Sequence, residues 1–272
     1  LKALRTLGVK IVKRKNHYSV YGNGLNSFKI KRKLTRLYCG NSLTTGRLLA
    51  GLLSTIPSKF YIYGDASANR RDFMRVIEPL EKVGAQFFPR KKTLPLTIEG
   101  TSLPLAQKHV ETRGSSQVKG LILLSALSTP GITTVEELKS KSSRTHTEIF
   151  LKKIGCDIKF KQTKKSNLIY LRGQKNLYSF NYSVKNDPSS AAYLICLSLL
   201  TPGSKLTLPR VICNDTRIEF IKVLRKMNGR IKIKGLKRDS SSGELVGTIV
   251  AHGSKLKPIM VSENVAKFID EL

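Results

Sequence analysis

Four times along this chain a charged amphipathic segment closes on a glycine: LRTLG at residues 4–8, LEKVG at 80–84, LKKIG at 151–155 and LRKMNG at 224–229. Residues of alternating polarity follow, as in Cys156-Asp157-Ile158-Lys159-Phe160. The glycines recur at spacings of 71 to 76 residues, too regular for chance and too long for one layer of a solenoid. Each period therefore encloses a small fold of its own, and the chain must stack several copies of one supersecondary unit.

The order inside a period is legible. Polar clusters at Asn41-Ser42-Leu43-Thr44-Thr45, Ser115-Ser116-Gln117 and Asp187-Pro188-Ser189-Ser190 carry helix-start chemistry, because short oxygen-bearing side chains satisfy the free N–H groups of a first turn. The runs behind them, 48–53, 121–127 and 191–200, are apolar on nearly all sides and predict buried helices. By contrast, 75–83 and 147–154 are amphipathic and predict exposed ones. Short β-prone stretches such as 60–63 and 205–208 lie between them. The unit reads β-α-β-α-β-β, which places the chain in the α/β class. The chain opens at the tail of one unit and stops at Asp270-Glu271-Leu272, where another polar-to-helix junction is due, so it is expected to be an internal fragment.

At 272 residues and 40% apolar content the chain can bury a sizeable core, enough for two domains. No apolar run is long enough to span a bilayer and no signal peptide opens it, so a cytoplasmic location and no membrane partner are expected. Cys39, Cys156, Cys196 and Cys213 form no CxxC pair, and His17, His109, His146 and His252 are scattered, so neither a metal nor any other cofactor is expected. The net charge of +31 suggests a polyanion partner. However, the lysines are spread over nearly every segment, and the runs at 29–33 and 161–165 present no aromatic-interleaved binding face. Solvated surfaces explain most of that charge, small phosphorylated substrates are compatible with it, and no specific nucleic acid is expected.

Seven ordered motifs carry a resemblance that spans essentially the whole chain. They are LYCGNSLTTGRLLAGLL (37–53), GDASANRRDFMRVIEPLEKVGA (64–85), PLTIEG (95–100), SSQVKGLILLSAL (115–127), SRTHTEIFLKKIG (143–155), NDPSSAAYLICLSLL (186–200) and FIDEL (268–272). Together they resemble the 5-enolpyruvylshikimate-3-phosphate synthase family (3-phosphoshikimate 1-carboxyvinyltransferase). The resemblance implies a two-domain inside-out α/β barrel of repeated βαβαββ units. Residues 1–182 would be the shikimate-phosphate-side domain, lacking an N-terminal segment, and 183–272 part of the second domain. It also implies a monomer that joins the 5-hydroxyl of shikimate 3-phosphate to C2 of phosphoenolpyruvate and then expels phosphate.

The family's site residues carry over position by position. Ser115, Ser116, Gln117, Ser143 and Arg144 would hold shikimate 3-phosphate. Asn41, Thr44, Arg71 and Gln117 would hold phosphoenolpyruvate. Asp270 would take or hold the proton of the 5-hydroxyl while also binding shikimate 3-phosphate. Arginine forks and helix N-termini suit this work because both present aligned N–H donors to anions. The same serines and threonines also serve as ordinary helix caps. Three departures from the family pattern stand out. Leu43 replaces the glycine of the Asn-Ser-Gly-Thr turn and is expected to crowd the phosphoenolpyruvate pocket. Ala68, Asp72 and Phe73 replace Leu, Pro and Met around Arg71, and Asp72 could pair with that arginine. Arg70 beside Arg71 leaves the register open by one. His146, near substrate in the family, is assigned no part in catalysis. Three other readings stay open: the related UDP-N-acetylglucosamine enolpyruvyl transferase, a non-catalytic homologue suggested by Leu43 and Ala68, and a basic nucleic-acid-binding protein.

Overall fold

The computed structural model of the chain describes residues 1–261, and its elements repeat as the sequence does. A short helix, α1 (Lys2–Thr6), and a hairpin of β1 (Lys10–Lys13) with β2 (Tyr18–Tyr21) come first. The first full unit follows as β3 (Leu34–Tyr38), α2 (Leu43–Leu53), β4 (Lys59–Tyr63), α3 (Ala66–Arg70), α4 (Met74–Glu81), β5 (Gln86–Phe88) and β6 (Leu96–Glu99). The second is β7 (Lys108–Glu111), α5 (Ser116–Ala126), β8 (Ile132–Leu138), α6 (His146–Lys153), β9 (Asp157–Gln162) and β10 (Ser166–Arg172). The third is α7 (Pro188–Leu200), β11 (Lys205–Ile212), α8 (Glu219–Lys226), β12 (Arg230–Arg238) and β13 (Leu245–His252).

The strand order recurs as well: β3-β4-β6-β5, β7-β8-β10-β9, then β11-β13-β12, where a parallel bridge from Asn186 to Val211 stands in for a first strand. In the two full units the first strand runs parallel to the second and the other pairings are antiparallel. A parallel step needs a crossover, here a helix that begins beyond the end of the first strand. The polar clusters sit at those starts. Ser42, Ser115 and Asp187 are the N-caps of α2, α5 and α7, each accepting from the N–H three residues on, in Thr45, Val118 and Ser190.

The periodic glycines end helices. Gly8, Gly84 and Gly155 have φ of +84°, +110° and +89°, the left-handed conformation that stops a helix and costs glycine nothing. The Val9 and Ala85 N–H groups then reach back to the Leu4 and Leu80 carbonyls. In the fourth copy the extra residue Asn228 takes the left-handed turn at φ +70°, and the Gly229 N–H returns to Leu224.

Backbone proximity divides the chain into two units, Leu1–Lys139 with Gly155–Tyr178, and Ser140–Ile154 with the described part of Ser179–Leu272. In the first, α2 and α5 bury one another. A Cβ on Gly51 would collide with the Leu121 carbonyl, so the two helix backbones touch there. Leu49, Ala50, Leu53, Leu121, Ile122 and Leu123 are buried around the contact, and each large side chain so enclosed contributes roughly 1.5–3 kcal/mol. The Lys119 ammonium, fully buried on α5, meets the Glu137 carboxylate of β8 at 2.9 Å. In the second unit α7 and α8 pack on their sheet through Ile195, Leu199, Phe220, Ile221, Val211 and Ile249. The expectation of all-round burial holds for α2 and α5 but only for one face of α7. Tyr193, Leu194, Leu197 and Leu200 are exposed, because no second apolar helix lies against that face among the described residues. Among those residues, too, no helix is long and apolar enough to cross a membrane.

Candidate functional site

In the first unit the contact of α2 with α5 brings their N-termini together. Gln117, in the first turn of α5, donates from Nε2 to Thr44 Oγ1 at 2.8 Å, and its Oε1 accepts from Arg47 Nη1 at 2.5 Å. The other amino group of Arg47 donates to the Asp72 carbonyl at 2.6 Å. Arg71 lies in the loop between α3 and α4, and its Nη2 is 3.2 Å from Asn41 Oδ1 and 3.5 Å from Ser67 Oγ. Asn41, Thr44, Arg71 and Gln117 are thus linked in pairs around one exposed patch. Ser115 Oγ accepts from Val118 N–H as the α5 cap, which leaves its hydroxyl hydrogen to donate outward, and Ser116 follows in the first helical position. Two helix N-termini and a guanidinium in one place favour anions.

The surroundings preserve that charge. Asp72 directs its carboxylate to the Met74 N–H at 2.8 Å and to Arg75 Nε at 3.5 Å, at the start of α4. It does not pair with Arg71, whose partners among the described residues are neutral oxygens. It is Arg71, not the exposed Arg70, that reaches Asn41. Leu43 is only 3% exposed and belongs to the core, whereas Asn41, Ser42 and Thr44 on either side are exposed. The isobutyl group therefore does not stand in open space over the turn, contrary to the crowding expected of it.

A buried carboxylate shapes the approach to α5. Glu111 Oε1 accepts from the Arg113 and Ser115 N–H groups at 2.8 and 3.3 Å, and Oε2 lies 3.4 Å from His109 Nε2. Burial raises its pKa, but the His109 contact and the two backbone donors outweigh burial, and the net shift is downward. With the folded value below the ordinary glutamate value of 4.5, this contribution to stability is complete above that value and lost as pH falls through the folded one. Glu111→Gln is expected to flatten the fall in melting temperature between about pH 5 and 3. Thermal unfolding across that range checks it, and an unaltered slope would refute the role of the carboxylate.

Ser143 and Arg144 lie in the second unit, just before α6, with Ser143 buried and Arg144 half-buried. A polar network fixes the residues that follow them. Asn214 Nδ2 donates to Thr145 Oγ1 at 3.0 Å and to Glu244 Oε2 at 3.1 Å. His146 Nδ1 is 2.6 Å from Glu244 Oε1, and His146 Nε2 is 3.2 Å from Arg217 Nη1. A guanidinium can only donate, so Nε2 is the acceptor and the ring proton sits on Nδ1, shared with Glu244. Both ring nitrogens are therefore occupied. Arg217 also donates to Asp187 Oδ1 at 2.7 Å and Ser189 Oγ at 2.6 Å. Burial alone would raise the pKa of both Glu244 and Asp187. The hydrogen bonds from His146 and Asn214 pull Glu244 below its usual value, and the Ser190 N–H and Arg217 do the same for Asp187.

Sequence reasoning overlooked Arg47, Asn214, Arg217 and Glu244. Arg47 had a signal: it is the one charge in α2, placed three residues after Thr44 and so on the same helix face. The others had none, since Glu244 meets His146 across 98 residues of chain. Asp270 lies outside the described residues.

The chain matches the family EPSP synthase (3-phosphoshikimate 1-carboxyvinyltransferase) over residues 1–272. A 3-phosphoshikimate 1-carboxyvinyltransferase of Helicobacter pylori (strain ATCC 700392 / 26695) is 40% identical over 256 residues, covering 91% of this chain and 57% of that protein. One from Ruegeria sp. (strain TM1040) is 35% identical over 277 residues, covering 99% and 60%. The solved EPSP synthase from Acinetobacter baumannii superposes with a TM-score of 0.82 at 32% identity, over 98% of this chain and 59% of that one. The chain spans about three-fifths of the length of these relatives.

Proposed function

We propose, from the premise that the chain belongs to the EPSP synthase (3-phosphoshikimate 1-carboxyvinyltransferase) family, that the protein it forms transfers the enolpyruvyl group of phosphoenolpyruvate to the 5-hydroxyl of shikimate 3-phosphate. The hydroxyl oxygen attacks C2 as C3 gains a proton, giving a tetrahedral ketal. Loss of a proton from C3 with departure of phosphate then gives 5-enolpyruvylshikimate 3-phosphate. The observation that carries this reading is the patch where Arg71, Gln117, Asn41 and Thr44 meet at two helix N-termini, with no carboxylate on Arg71 among the described residues.

In this proposal Arg71 and the Gln117 amide hold phosphoenolpyruvate together with Asn41 and Thr44. Ser115, Ser116, Gln117, Ser143 and Arg144 hold shikimate 3-phosphate, and Asp270 orients the 5-hydroxyl and takes its proton. The catalytic contribution is mainly orientation and fixed charge, and positioning two reactants supplies roughly 7–11 kcal/mol of barrier reduction. No cofactor is required. A two-domain organisation with its boundary near residue 182, a monomeric state and a cytoplasmic location belong to the same proposal.

The test is phosphate release by the complete protein given both substrates. Release that needs shikimate 3-phosphate as well as phosphoenolpyruvate is the expected result. A folded protein that releases none, or that accepts UDP-N-acetylglucosamine instead, would overturn the assignment.

A further inference from the structure

We propose that Arg47 is a positioning residue for the phosphoenolpyruvate half of the site, setting the orientation of the Gln117 amide and anchoring the Arg71 loop with one guanidinium. The inference rests on the reading of Gln117 and Arg71 as anion ligands given above.

A carboxamide has two orientations of nearly equal shape that exchange its donor and acceptor ends. Arginine has five donors and no acceptor, so beside Arg47 only the orientation with Oε1 inward satisfies both groups, and Nη1 meets that oxygen at 2.5 Å. The amide NH₂ is then turned to the exposed side, where one hydrogen goes to Thr44 Oγ1 and the other faces outward to an anion. The opposite orientation would present an oxygen to a negatively charged ligand and an NH₂ to a cation, unfavourable on both sides. The second amino group of Arg47 binds the carbonyl of Asp72, the residue after Arg71, at 2.6 Å. One side chain thus ties the first turn of α5 to the arginine loop. Arg47 is only 9% exposed, and its Nε, buried as well, has no hydrogen-bond partner. The two amino groups therefore do all the linking, and the single ammonium of a lysine cannot occupy both positions.

In the complete protein, Arg47→Lys is expected to raise the KM for phosphoenolpyruvate about tenfold, the loss of one charge-assisted hydrogen bond, with a smaller change in the KM for shikimate 3-phosphate. Because Arg47 acts through Gln117, the losses in kcat/KM from Arg47→Lys and Gln117→Ala should fall well short of multiplying in the double variant. A generally loosened fold would multiply them instead. If Arg47→Lys does not fold, Arg47→Gln retains one donor toward Gln117 and reads out the same pattern. A KM for phosphoenolpyruvate within twofold of the unaltered protein, or independent losses in the double variant, overturns the role of Arg47. If Gln117→Ala itself leaves phosphoenolpyruvate use unchanged, or the unaltered protein releases no phosphate, the functional reading fails and this inference with it.

Discussion

Arg71→Ala is expected to raise the KM for phosphoenolpyruvate about a hundredfold while moving the melting temperature by no more than about two degrees. Both halves follow from how the side chain is held. Arg71 is exposed, and its hydrogen bonds among the described residues go to Asn41 and Ser67, at 3.2 and 3.5 Å, so the fold loses little when it goes. A phosphate or carboxylate ligand, however, loses a planar fork that makes two parallel charge-assisted hydrogen bonds. At about 1.5 kcal/mol or more for each, the pair accounts for roughly two powers of ten. Arg71→Lys should recover only part of this, since an ammonium is a point charge without the fork. Steady-state kinetics with phosphoenolpyruvate as the varied substrate decide the matter. A KM within threefold of the original would remove Arg71 from the site and return attention to Arg70.

Leu43→Gly should destabilise the protein by about 3–5 kcal/mol and leave phosphoenolpyruvate use unimproved. The substitution restores the glycine expected of the family, and a pocket blocked by the isobutyl group would predict tighter substrate binding. The structure puts the side chain in the core at the first position of α2. Its removal therefore leaves a cavity, and glycine adds a backbone cost in the first turn. At roughly 2–4 °C per kcal/mol for a protein of this size, the melting temperature should fall by about ten degrees. Calorimetry beside a phosphate-release assay separates the outcomes. A tenfold fall in KM with stability retained would show that Leu43 obstructs the ligand after all.

The repeat was legible because its signals are short-range. Ser42, Ser115 and Asp187 cap the helices they precede, and Gly8, Gly84 and Gly155 end helices through their own φ angles. Such features depend on a few neighbouring residues and survive whatever the rest of the chain does. The candidate site was legible in part, through the resemblance more than through residue chemistry. Asn41, Thr44, Arg71 and Gln117 do meet, but the arginine that holds two of their segments together was hidden in an apolar run that reads simply as core.

Local chemistry thus sufficed for the repeated order of strands and helices, the caps at Ser42, Ser115 and Asp187, the glycine helix ends, and the α/β class. Packing settled the rest. It turned Asp72 toward Arg75 rather than Arg71, drew Leu43 inward, left one face of α7 uncovered by the described residues and placed Arg47 against a glutamine 70 residues away. These outcomes depend on which helix surfaces come into contact. The α2 and α5 backbones approach closely only because Gly51 leaves room for the Leu121 carbonyl. No window of sequence contains both sides of that contact.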